Sequence, residues 1–144
     1  MKFVALDSIL INNIFIKEFY MPHSIVADKS LEFAKNIITL YKKLNFDDKE
    51  YTMSKQILRS GTSIGANITE ALKAQSKKDF LSKIYISLKE TSETEYWLKL
   101  LSTAGYIESQ ESKKLLQDCQ EISRILTAII KTTKLNLKQK KKLV

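Results

Sequence analysis

The side chains best suited to chemistry form a small polar group in the middle of the sequence. Asn67 and Glu70 are three residues apart, and so are Glu90 and Glu93, which places the members of each pair one helical turn apart. Arg59 precedes them. Clustered carboxylates can bind a divalent cation, and a planar guanidinium can hold a carboxylate through two hydrogen bonds. The pattern therefore indicates an ion-pair network or a cation site, provided that two helices bring its halves together.

Two interpretations of this group remain open. In the first, all five residues form a structural polar network that fixes the register of two antiparallel helices. In the second, they line a pocket for a ligand or a partner, and Glu70, Glu90 and Glu93 would offer a cation site as the one foothold for an enzyme. Arg59 is informative because the chain has just two arginines, and a guanidinium is preferred where an ion pair is held in a dry place.

The other residues of catalytic and metal chemistry are missing from the sequence. The single histidine, His23, precedes the first helical segment and cannot build the paired Glu-x-x-His ligands of a di-iron bundle. The single cysteine, Cys119, lies on an apolar seam, where a thiol is inert packing more often than a nucleophile. No glycine-rich phosphate loop, zinc-protease motif or Gly-x-Ser-x-Gly turn occurs. We therefore predict no enzymatic activity, no metal and no cofactor.

Positive charge is concentrated at the C-terminal end. The net charge is +8, from 24 basic and 16 acidic residues, and the chain from Lys131 onward contains lysines but no acid. Such a segment is either a solvated end that aids solubility or a contact for a polyanion such as RNA or DNA. The candidate nucleic-acid-binding residues are Lys77, Lys78, Lys113, Lys114, Lys131, Lys134, Lys138, Lys140, Lys141 and Lys142.

Four helical segments are predicted to position these residues. Three glycines and one proline are too few for the turns of a sheet-rich fold. Asp28 or Ser30 can cap the first segment, and the second begins near residue 49. Ser76 can cap the third, which ends near residue 103 because Gly105 is suited to a left-handed C-terminal cap.

Apolar residues at helical spacing predict which face of each segment is buried, most clearly along a heptad seam in the fourth. The predicted buried residues are Leu31, Ala34, Ile38, Tyr41 and Leu44 in the first segment, Met53, Ile57, Ile64, Ile68, Ala71 and Leu72 in the second, Leu81, Ile84, Leu88, Thr91, Leu98 and Leu101 in the third, and Leu115, Cys119, Ile122, Leu126, Ile129 and Thr133 in the fourth. Such stripes can be buried only against one another. We therefore predict an all-α, up-down-up-down, antiparallel, left-handed four-helix bundle.

Three aromatic residues of the third segment, Tyr85, Tyr96 and Trp97, are candidates for an oligomer interface. Tyr96 and Trp97 lie off its apolar stripe, so at least one of them should reach the surface. Exposed aromatic side chains are typical of subunit contacts.

The chain divides into an N-terminal extension (1–27), the bundle (28–135) and a basic tail (136–144). Residues 1–20 are apolar, but Asp7, Asn12 and Asn13 interrupt them, so they fit a membrane span or a signal peptide poorly. They are either an upstream extension before a start at Met21 or a short helix on the body or on a neighbour. A lone cysteine fits a reducing compartment, and we predict a cytoplasmic protein without a membrane partner.

Three stretches carry a resemblance to a known family: DKSLEFAKNIITLYKKL (28–44), QILRSGTSIGANITEALKAQSKKDFLSKIYISLKETSETEYWLKLL (56–101) and LTAIIKTTK (126–134). The chain resembles the small bacterial four-helix-bundle family known from 23S rRNA intervening sequences, which includes accessory variability proteins of diversity-generating retroelements. The family signature maps onto Arg59, Ser60, Ser63, Asn67, Glu70, Glu90, Glu93 and Trp97.

The resemblance implies a protomer of a closed homopentamer with a basic surface for RNA or DNA and with no catalytic activity. It also implies a reverse transcriptase or another protein as a possible further partner. Two functions stay open at this point. One is a nucleic-acid-binding accessory protein with weak sequence specificity. The other is a purely structural or protein-interaction module that oligomerises and docks a partner.

Overall fold

The computed structural model describes residues 25–142, and all regular secondary structure in that range is helical. Helix α1 comprises residues 25–42 and continues into the π-helical turn Lys43–Asp47. It is followed by α2 (Met53–Ala71), α3 (Lys77–Thr103) and α4 (Ser109–Lys142). The predicted all-α class is confirmed. Helix α4 runs through residues 136–142 of the predicted basic tail, and residues 1–24 of the predicted extension lie outside the described range.

Helices α2 and α3 are neighbours that run in opposite directions. The Ser87 hydroxyl of α3 donates to the backbone carbonyl of Ile64, 2.9 Å away, and the Thr94 hydroxyl donates to Ser60 Oγ at 3.0 Å. The later residue of α3 thus meets the earlier residue of α2. All four residues are buried, and the hydroxyl groups of Ser87 and Thr94 each have a partner on α2, so these polar atoms are satisfied inside the interface.

Helix α1 approaches α2 closely at two glycines. A Cβ atom added at Gly61 would lie 2.9 Å from Ile37 Cγ1, and one added at Gly65 would lie 3.1 Å from Ser30 Oγ. The small residues in the middle of α2 therefore let the two helices touch. Since the later residue of α1 meets the earlier glycine, this pair also runs in opposite directions.

Helix α4 closes the bundle between α1 and α3. Its Glu121 and Glu111 form ion pairs with Lys29 and Lys43 of α1 at 3.0 and 3.1 Å, again in reversed order along the two helices. On its other side, the Cys119 thiol lies 3.5 Å from a backbone carbonyl oxygen of α3. The four helices therefore pack around one interior, as predicted, while the left-handed sense remains a prediction.

The predicted heptad seam of α4 is confirmed, since each of its six residues is buried. The predicted stripe of α1 is wrong except at Leu44. Leu31 and Ile38 are exposed by 66% and 39%, and Ala34 and Tyr41 are half-buried. The residues of α1 that fill the core are Val26, Phe33, Ile37, Leu40 and Leu44. Apolar residues cover about half of the circumference of α1, so two neighbouring stripes have the spacing of a buried helix face. Only one of these two stripes packs into the core.

Two helix boundaries also correct the sequence analysis. Helix α1 is already helical at residue 25, so neither Asp28 nor Ser30 caps it, and the Ser30 hydroxyl donates to the carbonyl of Ala27 at 2.8 Å. Helix α2 begins at Met53 rather than near residue 49, and Leu72, which was predicted to be buried, is 44% exposed just after the last residue of α2.

The boundaries of α3 are as predicted. Ser76 accepts a hydrogen bond from the backbone N–H of Asp79 at 3.1 Å, and Asp79 accepts one from the backbone N–H of Gln75 at 3.2 Å. Gly105 follows the helix at φ 82°, in the left-handed region where a side chain would be strained. Within residues 25–142, no helix is long and apolar enough to cross a bilayer.

A buried carboxylate caps the start of α2. Glu50 accepts hydrogen bonds from the backbone N–H groups of Thr52 and Met53, both at 3.0 Å, and of Ser54 at 2.7 Å. Burial raises the pKa of Glu50, but the hydrogen bonds together outweigh it and lower the pKa below the usual 4.5. The charged form thus satisfies donors that a helix N-terminus would otherwise leave unpaired.

Glu50→Gln should destabilise the protein by about 1 kcal/mol at neutral pH, because an amide NH₂ would replace one of the two accepting oxygens. A lowered folded-state pKa means that this stabilisation is present above pH 4.5 and is lost as the pH falls through the folded-state pKa. The difference between variant and wild type in urea denaturation should therefore close in acid. Glu32→Gln, at a carboxylate side chain 63% exposed, is the control and should change little. A gap independent of pH would contradict the cap.

Candidate nucleic-acid interface

The structure brings most of the candidate lysines to one end of the bundle. The ammonium group of Lys134 on α4 lies 5.1 Å from the ring centroid of Tyr85, which is near the start of α3. The first turn of α3, with Lys77 and Lys78, therefore lies at the same end as the C-terminal third of α4. The lysines of α4 at that end are Lys131, Lys134, Lys138, Lys140, Lys141 and Lys142, and the side chain of Lys140 lies outside the description.

The structure does not bring Lys113 and Lys114 to this end. They stand in the first turns of α4, and the 17 residue steps from Lys114 to Lys131 correspond to about 25 Å along the helix axis. Lys114 also pairs with Asp118 at 3.2 Å. The ten predicted lysines therefore do not form one patch.

Helix periodicity places five exposed lysines on one face of α4. Lys131, Lys134, Lys138 and Lys141 are separated by steps of three, four and three residues, and Lys142 lies beside the last of them. We call these five residues the lysine face. Among residues 25–142, none of them has a carboxylate oxygen within 4.0 Å.

The carboxylates of α4 lie on a different side of the helix. Glu111 and Glu121 face α1, where they pair with lysines, and Asp118 lies in the cleft between α1 and α4. The surface that continues the lysine face toward the N-terminus carries the exposed guanidinium of Arg124 and no acid of α4. The lysine face therefore lies toward α3, where Lys134 meets Tyr85, and the ion pairs to Lys29 and Lys43 lie toward α1.

The central polar group forms a smaller network than the sequence suggested. Arg59 Nη1 lies 3.5 Å from Glu90 Oε1, and Arg59 Nη2 contacts Glu93 Oε1. The Trp97 indole N–H donates to the same Glu93 oxygen at 3.2 Å. The bond from Arg59 is the main reason that the pKa of Glu93 is lowered, burial opposes it, and the bond from Trp97 adds to it. Arg59, Glu90 and Glu93 are therefore held together as an ion-pair cluster.

Asn67 and Glu70 are not part of this cluster. Asn67 donates to the carbonyl of Ser63 in its own helix at 2.8 Å, and Glu70 pairs with Lys83. The expectation of a dry arginine is also wrong, since the Arg59 side chain is 50% exposed. The inward positions of α2 are taken by neighbours such as Ser60 and Ile64, which leaves Arg59 at the edge of the α2–α3 interface.

This arrangement does not favour metal or nucleophile chemistry. Each of the three carboxylates proposed as cation ligands already has a basic partner, Arg59 or Lys83, which would compete with a metal ion. Among residues 25–142, no group of three or more His, Cys, Asp or Glu side chains has the arrangement of a metal site. Burial raises the pKa of Cys119 to about 12, so its thiol is protonated at neutral pH and is a poor nucleophile.

The aromatic candidates have different surroundings. Tyr96 is 57% exposed, and its ring meets that of Trp97 edge to face at 5.0 Å between centroids. Trp97 is half-buried and donates to Glu93, and Tyr85 is half-buried beneath the ammonium group of Lys134. Tyr96 is therefore the one of the three that presents most of its surface to solvent.

Arg59→Gln should destabilise the protein by about 1 kcal/mol, a modest value because the guanidinium is half exposed and solvent screens the pair. The loss should come from Glu90, whose buried Oε2 has no hydrogen-bond partner among residues 25–142 and whose charge would lose its cation. Adding Glu90→Gln to Arg59→Gln should therefore recover stability in urea denaturation. Lys99→Gln, which breaks a 3.7 Å pair with Glu95, is the control. Additive effects of the two substitutions would exclude the coupling.

Comparison with known proteins places the chain in a family. A family model described as 23S rRNA-intervening sequence protein matches residues 23–128. A crystal structure of a protein of unknown function, from the S23 ribosomal protein family of Bacteroides thetaiotaomicron VPI-5482, is 55% identical over 76% of this chain and 98% of its own, with a TM-score of 0.76. No curated protein matches. The resemblance predicted from the sequence is thus confirmed, and the chain belongs to the 23S rRNA-intervening sequence protein family.

Proposed function

We propose that this protein is a non-enzymatic accessory protein that binds RNA or DNA with weak sequence specificity. The contact surface is the lysine face of α4 together with Lys77 and Lys78 at the start of α3. The observation that carries the proposal is the alignment of five exposed lysines, without carboxylate partners among the described residues, on one helix face.

The spacing of the lysine face suits an extended polyanion. Steps of three and four residues correspond to a rise of about 4.5 to 6 Å, so the ammonium groups from Lys131 to Lys142 are distributed over about 16 Å. A small anion would engage one or two of them, whereas a chain of phosphates can engage all of them at once. Each neutralised phosphate releases bound counterions, which gives binding that weakens steeply with salt.

The composition of the surface argues for weak sequence specificity. Lysines form point-charge contacts to phosphates, which position a nucleic acid but do not distinguish bases. Arginine, asparagine and glutamine are the side chains that read base edges in pairs of hydrogen bonds, and Arg124, beyond the lysine face, is one such residue among many point charges. The ion-paired state of Arg59, Glu90 and Glu93, together with the protonated thiol of Cys119, supports a role without catalysis.

Replacing Lys131, Lys134 and Lys138 with Gln should weaken binding to a fluorescent RNA oligonucleotide and reduce the slope of log affinity against log salt by about 2 to 3. The matched control replaces Lys35, Lys42 and Lys55, which are exposed on α1 and the start of α2 and carry the same total charge. Fluorescence anisotropy at several salt concentrations measures both slopes. Equal changes in the two variants, or a wild-type affinity that salt does not alter, would contradict the proposed surface.

A second candidate function is a protein-interaction module that oligomerises and docks a partner protein. The observation that favours it is the exposure of two apolar side chains of α3, Tyr96 and Ile86, which are 57% and 38% exposed. Closed cyclic assemblies need two different complementary surfaces on each protomer, and α3 offers one. A homopentamer is the assembly expected for this candidate, and it is compatible with nucleic-acid binding through α4.

Tyr96→Ala should lower the molar mass measured by light scattering at tens of micromolar protein, because an exposed aromatic anchor carries much of the energy of an interface. Tyr51→Ala is the control, since Tyr51 is 53% exposed but lies in the loop before α2. A wild-type monomer, or a Tyr96→Ala variant that assembles like wild type, would remove Tyr96 from the interface.

A further inference from the structure

The outward side of α1 forms an apolar surface with the adjoining side of α2. Leu31 and Ile38 of α1 are exposed by 66% and 39%, and Leu72, just after α2, is exposed by 44%. Helix periodicity places these residues beside the line along which Gly61 and Gly65 approach α1. We call this surface the α1–α2 apolar face; it consists of Leu31, Ala34, Ile38, Leu58, Thr62 and Leu72.

The bundle does not use this face for its own core. The inward stripe of α1 is already enclosed, with Phe33, Ile37 and Leu40 no more than 2% exposed. The one side-chain hydroxyl of the face is satisfied within α2, since Thr62 donates to the carbonyl of Leu58 at 2.7 Å. The face contains no charged residue, so it is an apolar patch of the kind that marks a contact with another molecule.

Exposed lysines stand along both long edges of the face. Lys35 and Lys42 are two turns apart on α1, Lys55 lies in the first turn of α2, and Lys73 follows its end. We call these four residues the basic rim. Because α1 and α2 run in opposite directions, Lys42 and Lys55 lie at the same end of the face, on opposite edges. Among residues 25–142, Lys42, Lys55 and Lys73 have no carboxylate oxygen within 4.0 Å.

The charge of the basic rim selects the occupant of the face. The acids on its α1 edge are Asp28 and Glu32, and Glu32 is already paired with Lys35 at 2.8 Å, so the rim is positive overall. A second copy bound through the same face would bring two basic rims together, and like charges across an interface repel. A partner that carries carboxylates on both sides of an apolar stripe would instead be attracted along both edges.

The shape of the face suits a helix better than a membrane. Ala34 and Thr62 lie at the same level of the two helices, between the two glycine contacts. Their short side chains stand between Leu31 toward one end and the larger Ile38 and Leu58 toward the other, so the face is lowest in its middle. A hollow of this kind accepts a side chain that projects from a partner helix. A membrane surface is bound by projecting apolar and aromatic residues, and the face has no aromatic residue.

The length of the face fits about four turns of a partner helix. Leu58 and Leu72 are 14 residue steps apart, which is about 21 Å along the axis of α2. A helix of about 15 residues has the same length. Its apolar residues at steps of three and four can then contact the whole face, while the positions on either side of that stripe meet the basic rim.

We propose that the α1–α2 apolar face docks an amphipathic helix of another protein, in which aspartate or glutamate residues flank the apolar stripe. Leu31, Ile38 and Leu72 provide the apolar contact, and the basic rim fixes how the helix is oriented. The proposal does not rest on nucleic-acid binding by the lysine face, which is on α4. It supplies the second candidate function with a docking surface and with a partner of stated chemistry.

The test uses a fluorescent helical peptide of about 18 residues, with leucines at steps of three and four between two rows of glutamates. Fluorescence anisotropy with the full-length protein should show binding, and Leu31→Gln with Ile38→Gln should weaken it at least tenfold because the apolar contact is lost. Both positions are exposed, so the fold should tolerate these substitutions. Phe46→Gln with Leu135→Gln is the matched control, at positions 73% and 51% exposed outside the face, and should bind like wild type.

A charge exchange tests the basic rim. A peptide with lysines in place of the glutamates should bind wild type at least tenfold more weakly than the glutamate peptide. Lys42→Glu with Lys55→Glu should reverse this preference, because both edges at one end of the face change sign. Lys89→Glu with Lys113→Glu, at exposed positions of α3 and α4, changes the net charge equally and should keep the wild-type preference.

Four outcomes would overturn the proposal. They are no binding of the glutamate peptide up to about 1 mM, equal binding of the two peptides, loss of a wild-type oligomer in light scattering when Leu31 and Ile38 are replaced, and loss of sedimentation with phosphatidylserine vesicles in the same variant. The third would assign the face to a second copy, and the fourth would assign it to a membrane. RNA binding by this variant should equal that of wild type, so a failure of the docking surface is distinguishable from a failure of the lysine face.

Discussion

The structure depends on the close approach of α1 and α2 at Gly61. Ile37 is completely buried against this glycine, and a Cβ atom there would lie 2.9 Å from its side chain. The β-branched Ile37 has few alternative rotamers, so the contact fixes both the separation and the register of the two helices. Two glycines in α2 cost about 2 kcal/mol of helix propensity, which the burial of the inward stripe of α1 offsets. The remaining helices complete an interior whose polar groups are mostly small hydroxyls bonded to backbone or to one another.

A closed interior of this kind moves the functional chemistry to the surface. Charges inside would need costly desolvation, and the charged side chains nearest the core, such as Glu50 and Glu90, lie at helix ends or edges with specific partners. The surface charge is then sorted by helix face. On α4, Glu111 and Glu121 pair with Lys43 and Lys29 on the α1 side, while the lysine face, which has no carboxylate partner among the described residues, lies toward α3. This separation concentrates positive charge on one side of α4, which the net charge of +8 alone would not do.

The sequence was sufficient to predict buried faces and helix ends where a residue pattern was compatible with a single structure. The seam of α4 alternates steps of four and three with polar residues on the rest of the helix, so only one face could be buried. The N-terminal cap at Ser76 and the end of α3 before Gly105 depend on local backbone conformation, so the residue types at these positions predict them directly. The stripe of α1 failed because apolar residues cover half of the helix, and the choice between two stripes depends on the position of Gly61 in a different helix. The prediction of a dry Arg59 was wrong for the same reason, since the exposure of this side chain is set by how α2 is rotated against α3.

The two apolar stripes of α1 also show that this helix has more apolar surface than its packing in the core requires. A helix that contributes one stripe to a core needs an apolar arc of about a third of its circumference, and α1 has more than that. Extra exposed apolar surface lowers solubility, and such a surface is typical of a contact site for another molecule. Helix α4 shows the opposite solution, with one apolar seam and a charged outer face. The exposed apolar residues Leu31 and Ile38 of α1 and the lysine face of α4 are on different helices. A polyanion bound along α4 would therefore leave the outward side of α1 available for contact with another molecule.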